Sequence, residues 1–176
     1  MNTVRATRCT LEPQVAAHAR ELFAVLSDPA IYEFEGAPPV TEAAVVERFA
    51  SLESRCSADG AERWLNWVVR LPGGQLAGYV QATVLPTGVS LIAYELASGF
   101  WRQGIGSSSV TAMLGELRAV YGVHTYVAVL KARNHRSLSL LTRLGFEPAG
   151  EQQHAEYRDE PDEVVMVRMA ETTGEA

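Results

Sequence analysis

The chain has 176 residues, 47% of them hydrophobic, and a formal net charge of −6. That length suits one domain with a single mixed core, and the acidic balance argues against a nucleic-acid binder, which needs a basic footprint. No apolar run reaches the roughly 20 residues of a membrane span, and residues 1–5 open no signal peptide, so a cytoplasmic protein without membrane association is expected. Cys9 and Cys56 lack metal-site spacing, and His18, His124, His135 and His154 share no common interval. Both thiols are read as reduced, and no metal site is expected.

In chain order, residues 4–11 read as a strand. Residues 13–26 read as a helix with Val15, Ala19, Leu22, Phe23 and Leu26 on one face and Pro13 in its first turn. Three prolines and Gly36 make residues 27–40 a loop, and Thr41 caps a second helix running to about Ser57. Residues 64–71 and 75–85 form a hairpin around Pro72-Gly73-Gly74, and residues 89–96 add a further strand. Ile105, Val110, Met113, Leu114, Leu117 and Tyr121 recur at helical spacing, and residues 124–130 form the next strand, so this unit is a parallel βαβ crossover. A short helix follows, with Asn134 at its start and Gly145 at its stop. Residues 146–157 and 164–169 read as the last two strands, joined by an acidic turn. Residues 1–170 are expected to form one domain, with 171–176 a frayed tail.

The stretch Trp101-Arg102-Gln103-Gly104-Ile105-Gly106 lies at a strand-to-helix junction. Glycines there let an anion approach backbone N–H groups, and the helix adds the positive end of its dipole. A dinucleotide fold wants a third small residue and an acid ending the next strand; here Ser109 holds the third position and the strand ends Val129-Leu130-Lys131. A nucleoside-triphosphate loop needs Gly-Lys-Ser/Thr, which the chain lacks. The pyrophosphate of another carrier remains, with coenzyme A the leading candidate. Lys131, Arg133, Arg136 and Arg143 gather near the following helix, where one or two can meet a further phosphate.

With the N-x-x-S…L-G-F run from Asn134 to Phe146 standing after that glycine loop, the chain resembles the GCN5-related N-acetyltransferase (GNAT) superfamily. Phe100-Trp101-Arg102 and the Trp67 to Tyr79 segment lean toward the Rim-type ribosomal-protein N-terminal acetyltransferases. The resemblance covers most of the chain. It implies an α/β (α+β) fold with a mixed, mostly antiparallel sheet of about seven strands and helices on both faces. It also implies acetyl-CoA as cofactor, with Leu96, Trp101, Arg102, Gln103, Gly104, Ile105, Gly106, Ser107, Asn134 and Ser137 around it.

For the chemistry, Glu95 is the expected base. It lies on the strand beside the expected thioester position, and burial among Ala93, Tyr94 and Leu96 would raise its pKa. Strand alternation puts Tyr94 and Leu96 on the opposite face from Glu95. The resemblance implies a main-chain donor near Leu96 for the developing oxyanion, and Ser137 as a hydrogen-bond donor to the leaving thiolate. One departure stands out: Leu141 occupies the helix position where many members of the superfamily carry a tyrosine that protonates the thiolate. Tyr32, Glu33, Phe34 and Glu35, two aromatics and two carboxylates together, are the candidate surface for a cationic amine. The expected reaction is acetyl transfer from acetyl-CoA to a protein N-terminus or a small-molecule amine through a ternary complex, by a monomer or homodimer. The alternative is a non-catalytic coenzyme A sensor on the same fold.

Overall fold

The computed structural model describes residues 1–34 and 36–170; the tail and Glu35 lie outside the described residues. Eight strands form one sheet in the order β1-β2-β3-β4-β5-β6-β8-β7: β1 (Val4–Arg5), β2 (Thr10–Pro13), β3 (Arg63–Arg70), β4 (Leu76–Val84), β5 (Val89–Leu96), β6 (Thr125–Lys131), β7 (Glu147–Pro148) and β8 (Glu163–Met169). All neighbours are antiparallel except β5 and β6, which the helix α3 (Ile105–Tyr121) joins as a parallel crossover.

Alternation along the strands gives each face of the sheet its own apolar set. Val68, Leu76 and Tyr79 take the helices α1 (Ala19–Leu26) and α2 (Glu42–Leu52) through Ala19, Leu22, Leu26, Val45 and Phe49. Trp67, Val69, Val80, Ile92 and Leu96 take α3 on the other face through Ile105, Val110, Met113, Leu114 and Leu117. Each such side chain contributes about 1.5–3 kcal/mol when fully buried, so the larger set under α3 fixes the helix that carries the glycine loop. Thr41 caps α2 as expected, its hydroxyl accepting from the Ala44 N–H at 3.1 Å.

Four local expectations change, the first being that α2 stops at Leu52 rather than near Ser57. Residues 4–11 are a hairpin rather than one strand, closed by the Ala6 N–H donating to the Cys9 carbonyl at 2.9 Å; Ala-Thr-Arg-Cys carries no glycine or proline to announce the turn. Pro13 ends β2 opposite Trp67, and Gln14 N–H extends that ladder to the Asn66 carbonyl, so the helical chain starts only with a 3-10 turn at Ala16–His18 before α1. Proline fits a strand end as well as a helix start. The expected strand 146–157 is the two-residue β7 followed by α5 (Glu151–Tyr157). Glu-Gln-Gln-His-Ala-Glu lacks alternating apolar residues and contains good helix formers.

Candidate active site

The site begins where the sheet parts. β5 pairs with β6 only from Val89 to Leu91, opposite Thr125 to Val127, while β6 runs on beside β8 to Lys131. Beyond Leu91 the two strands diverge. Ala97 N–H donates to Ala77 O and Leu85 N–H to Val89 O in one unbroken register, so odd-numbered residues of β5 exchange hydrogen bonds with β4. The N–H and C=O groups of Tyr94 and Leu96 therefore point into the split. The Leu96 carbonyl accepts the Trp101 indole N–H at 2.7 Å, leaving the Leu96 N–H directed at the cleft. Gly78 opposes Leu96, and a side chain there would collide with the Glu95 carbonyl, so only glycine lets β4 hold this part of β5 so closely.

A cleft of about 490 Å³ fills the split. At one end Gly104, at φ +75°, is the left-handed N-cap of α3, and the first helical acceptance is Ser108 N–H to Gly104 O. The N–H groups of Ile105, Gly106 and Ser107 thus have no partner within the helix and form its positive end. Arg102 is also left-handed at φ +59°. Trp101, Arg102, Gly104, Gly106 and Ser107 line the cleft. Gln103 turns away, donating to the Gly99 carbonyl at 2.8 Å, and the Ile105 side chain is buried in the core. These two can reach a phosphate only through the main chain.

The facing wall is α4 (His135–Arg143). Asn134 caps it, its side-chain oxygen accepting from the Ser137 N–H at 3.1 Å, and Asn134, Ser137, Leu140 and Arg143 line the cleft. Leu141 is 1% exposed and packs into the core. Its helix position faces the sheet, and it is an aliphatic residue with no hydrogen to donate. Of the four cations grouped near this helix, Lys131 is committed elsewhere: it is buried among Glu160, Asp162 and Glu163, with Asp162 Oδ1 at 2.9 Å, and these carboxylates hold its pKa well above the usual value. Arg136 and Arg143 remain at the cleft, with Arg102 opposite.

A strap formed by residues 28–34 crosses the other end. Asp28 bolts its start, accepting from the Ser98 N–H at 2.6 Å and the Ala30 N–H at 3.0 Å; the hydrogen bonds from Ser98 hold the carboxyl below its usual range. Its far end is clipped to α4. Arg136 pairs with Glu33 at 2.6 Å, and its guanidinium lies 5.3 Å from the Phe34 ring centroid and 4.2 Å from that of Trp101. Among the residues expected to receive an amine, Glu33 thus already meets a cation, and Phe34 lines the cleft beneath Arg136. Tyr32 instead lies with Tyr79 near Glu95.

Glu95 lines the cleft while its side chain belongs to the α1/α2 face. Its cross-strand partner Tyr79 is 8% exposed and shares a hydrogen bond with its carboxylate. Burial first, and the Glu95 charge second, push the Tyr79 phenol far above its usual pKa and the Tyr32 phenol up to about 12. Both stay protonated beside the carboxylate. Tyr94 and Leu96 face α3 and α4, as alternation requires.

Arg8 escaped sequence reading. Its N–H donates to Ser108 Oγ at 3.1 Å, which docks the β1–β2 turn on α3, and its Nε would lie 3.0 Å from a Cβ placed on Gly104. Ninety-six residues separate the two, so no local signal links them. Among the described residues no three His, Cys, Asp or Glu are grouped to hold a metal ion, and no helix is long and apolar enough to cross a membrane.

Comparison with known proteins agrees with this geometry. The coenzyme A complex of RimL, a ribosomal L7/L12 alpha-N-protein acetyltransferase, superposes with a TM-score of 0.79 at 19% identity, covering 96% of this chain and 98% of that one. Ribosomal-protein-S5-alanine acetyltransferase from Vibrio fischeri gives 0.79 at 16% identity, covering 98% of each chain. The coenzyme A complex of the aminoglycoside acetyltransferase AAC(6')-Ib gives 0.72 at 23% identity, covering 90% of this chain and 93% of that one. No curated protein sequence matches significantly. A family model described as "Acetyltransferase (GNAT) domain" matches residues 8–147, well over half of the chain. With the split β5/β6 pair and the glycine-capped α3 already in place, the match settles the family: this chain is an acyltransferase of the GNAT acetyltransferase family.

Proposed function

We propose that residues 1–170 act as one unit that moves the acetyl group of acetyl-CoA to a primary amine, on a protein N-terminus or a small molecule. The observation that carries this reading is the charge layout of the cleft: Arg102 and Arg143, with Arg136 paired to Glu33, line it with the free N–H groups of α3, and among the described lining residues Glu95 is the one carboxylate. In a chain of net charge −6, that local excess of cations suits a polyanionic carrier. Acetyl-CoA supplies an activated acetyl thioester. Gly104 to Ser107 fit its pyrophosphate through main-chain donors, and Asn134 and Trp101 flank the path from there to Leu96. The Leu96 N–H is placed to stabilise negative charge developing on the acyl oxygen.

Glu95, reached from the α1/α2 face beside Tyr32, takes the proton that a protonated amine must lose before it attacks. Names of structural neighbours mention a ribosomal protein L7/L12 alpha-amino group and an aminoglycoside, which illustrates how widely acceptors vary on this scaffold. The test is release of free thiol from acetyl-CoA across a panel of amines. Turnover should fall about 100-fold in Glu95→Gln at neutral pH and recover as the amine deprotonates at higher pH. Tight acetyl-CoA binding with no turnover on any amine would instead identify a coenzyme A sensor.

A further inference from the structure

A thiolate leaves badly unless something donates a hydrogen to it, and Leu141 supplies no donor. The hydroxyls that line the cleft belong to Tyr94, Ser107, Ser137 and Ser139. Ser107 stands at the anion-binding end. Of the others only Tyr94 is a phenol, a far stronger acid than an alkyl hydroxyl. Tyr94 lies on β5 two positions before Leu96, on the same face and in the same split, so its ring projects from the strand whose Leu96 N–H meets the acyl oxygen.

The phenolic oxygen reaches α4, 3.5 Å from the Ser137 carbonyl oxygen. An O–H···O bond of full strength is about 2.7–2.8 Å long, so this contact holds the ring in place while committing its proton weakly. The Ser137 side chain also bonds to the phenol, which favours the phenolate against the stronger opposing effect of burial; the net result is a pKa pushed up to about 12. The group therefore keeps its proton at any physiological pH.

We propose that Tyr94 is the hydrogen donor to the departing coenzyme A thiolate, supplied from the strand rather than the helix, with Ser137 positioning it. This inference rests on the acetyl-transfer reading above. As the carbon–sulfur bond breaks, its electron pair goes to sulfur, and the Tyr94 O–H donates a hydrogen bond to the thiolate while keeping its proton; the thiolate leaves as such or takes a proton from solvent. Ser137, expected from the sequence to meet the sulfur itself, acts through the phenol.

The test uses equilibrium binding as well as rate. Ultraviolet titration of the coenzyme A thiol bound to the wild-type protein should show thiolate forming at lower pH than in free coenzyme A. In Tyr94→Phe that displacement should shrink about tenfold in the ionisation constant, and kcat should fall about 10- to 100-fold. Affinity for desulfo-coenzyme A, which has no thiol, should stay within about twofold. Ser137→Ala should produce a smaller change in the same direction. An unchanged thiol titration in Tyr94→Phe would overturn the assignment even if kcat fell. Equal loss of desulfo-coenzyme A affinity would also overturn it by showing a packing role. No thiol release by the wild-type protein with any amine would remove the acetyl-transfer reading, and this one with it.

Discussion

The two ends of the cleft are built by different means. At the α3 end main-chain groups face the cleft: Gly104 in its left-handed turn and the N–H groups of residues 105–107 are neighbours in sequence. At the strap end side chains do the closing, and they come from far apart, Asp28 meeting Ser98 and Glu33 meeting Arg136 across 103 positions. A site made of backbone tolerates little change because each atom is fixed by conformation. A closure made of side-chain pairs can be loosened in steps, and its strength follows salt and pH. The same fold can thus keep its carrier and vary its acceptor.

The sharpest way to break this comparison is Gly104→Val. A β-branched residue cannot hold φ +75° without strain, and its Cβ would press on Arg8. Acetyl-CoA affinity by calorimetry should fall about 100-fold or more; unchanged affinity would refute the main-chain cradle. Asp28→Ala should act next and differently. Losing two N–H partners frees the strap, so the acceptor KM should rise about tenfold, with acetyl-CoA affinity nearly constant. A parallel loss of both would show that the ends are not separable.

The Asp28 bolt also has a pH sign. Its folded pKa is depressed, so the closure it supplies is complete above the usual aspartate value of about 3.9 and is lost as pH falls through the lower folded value. Amide protection at Ser98 and Ala30, taken relative to the intrinsic exchange rate at each pH, should fall on acidification through that range. Protection that is unchanged there would contradict the assignment. The smallest effect belongs to Arg136→Ala. The Arg136 and Glu33 side chains are 40% and 53% exposed, so the pair with its ring contacts should contribute only about 1 kcal/mol. Melting temperature should drop slightly, and the ionic part of that drop should vanish in 1 M salt, where the screening length is about 3 Å.

Much of the α3 end was legible from residues alone because its determinants are local. Gly104 and Gly106 marked a close approach to the main chain, the apolar spacing from Ile105 to Tyr121 marked the helix, and Asn134 marked the cap of α4. The hairpin at residues 4–11 was not legible because its turn has no punctuating residue. The segment 151–157 was misread because proximity to a true strand outweighed its helix-forming composition. Lys131 looked like a free cation for the carrier until the α5–β8 turn placed three carboxylates around it.

The sequence by itself determined the family, the mixed fold and the glycine-capped helix N-terminus, since each rests on residue types at short, fixed spacings. Only the tertiary structure decided that β5 and β6 part after Leu91, that Tyr94 reaches α4 while Glu95 meets Tyr79, and that Arg8 leans on Gly104. Those outcomes depend on register, burial and contacts between distant segments. The physical reason is that periodicity says which residues share a face, while packing decides what that face meets.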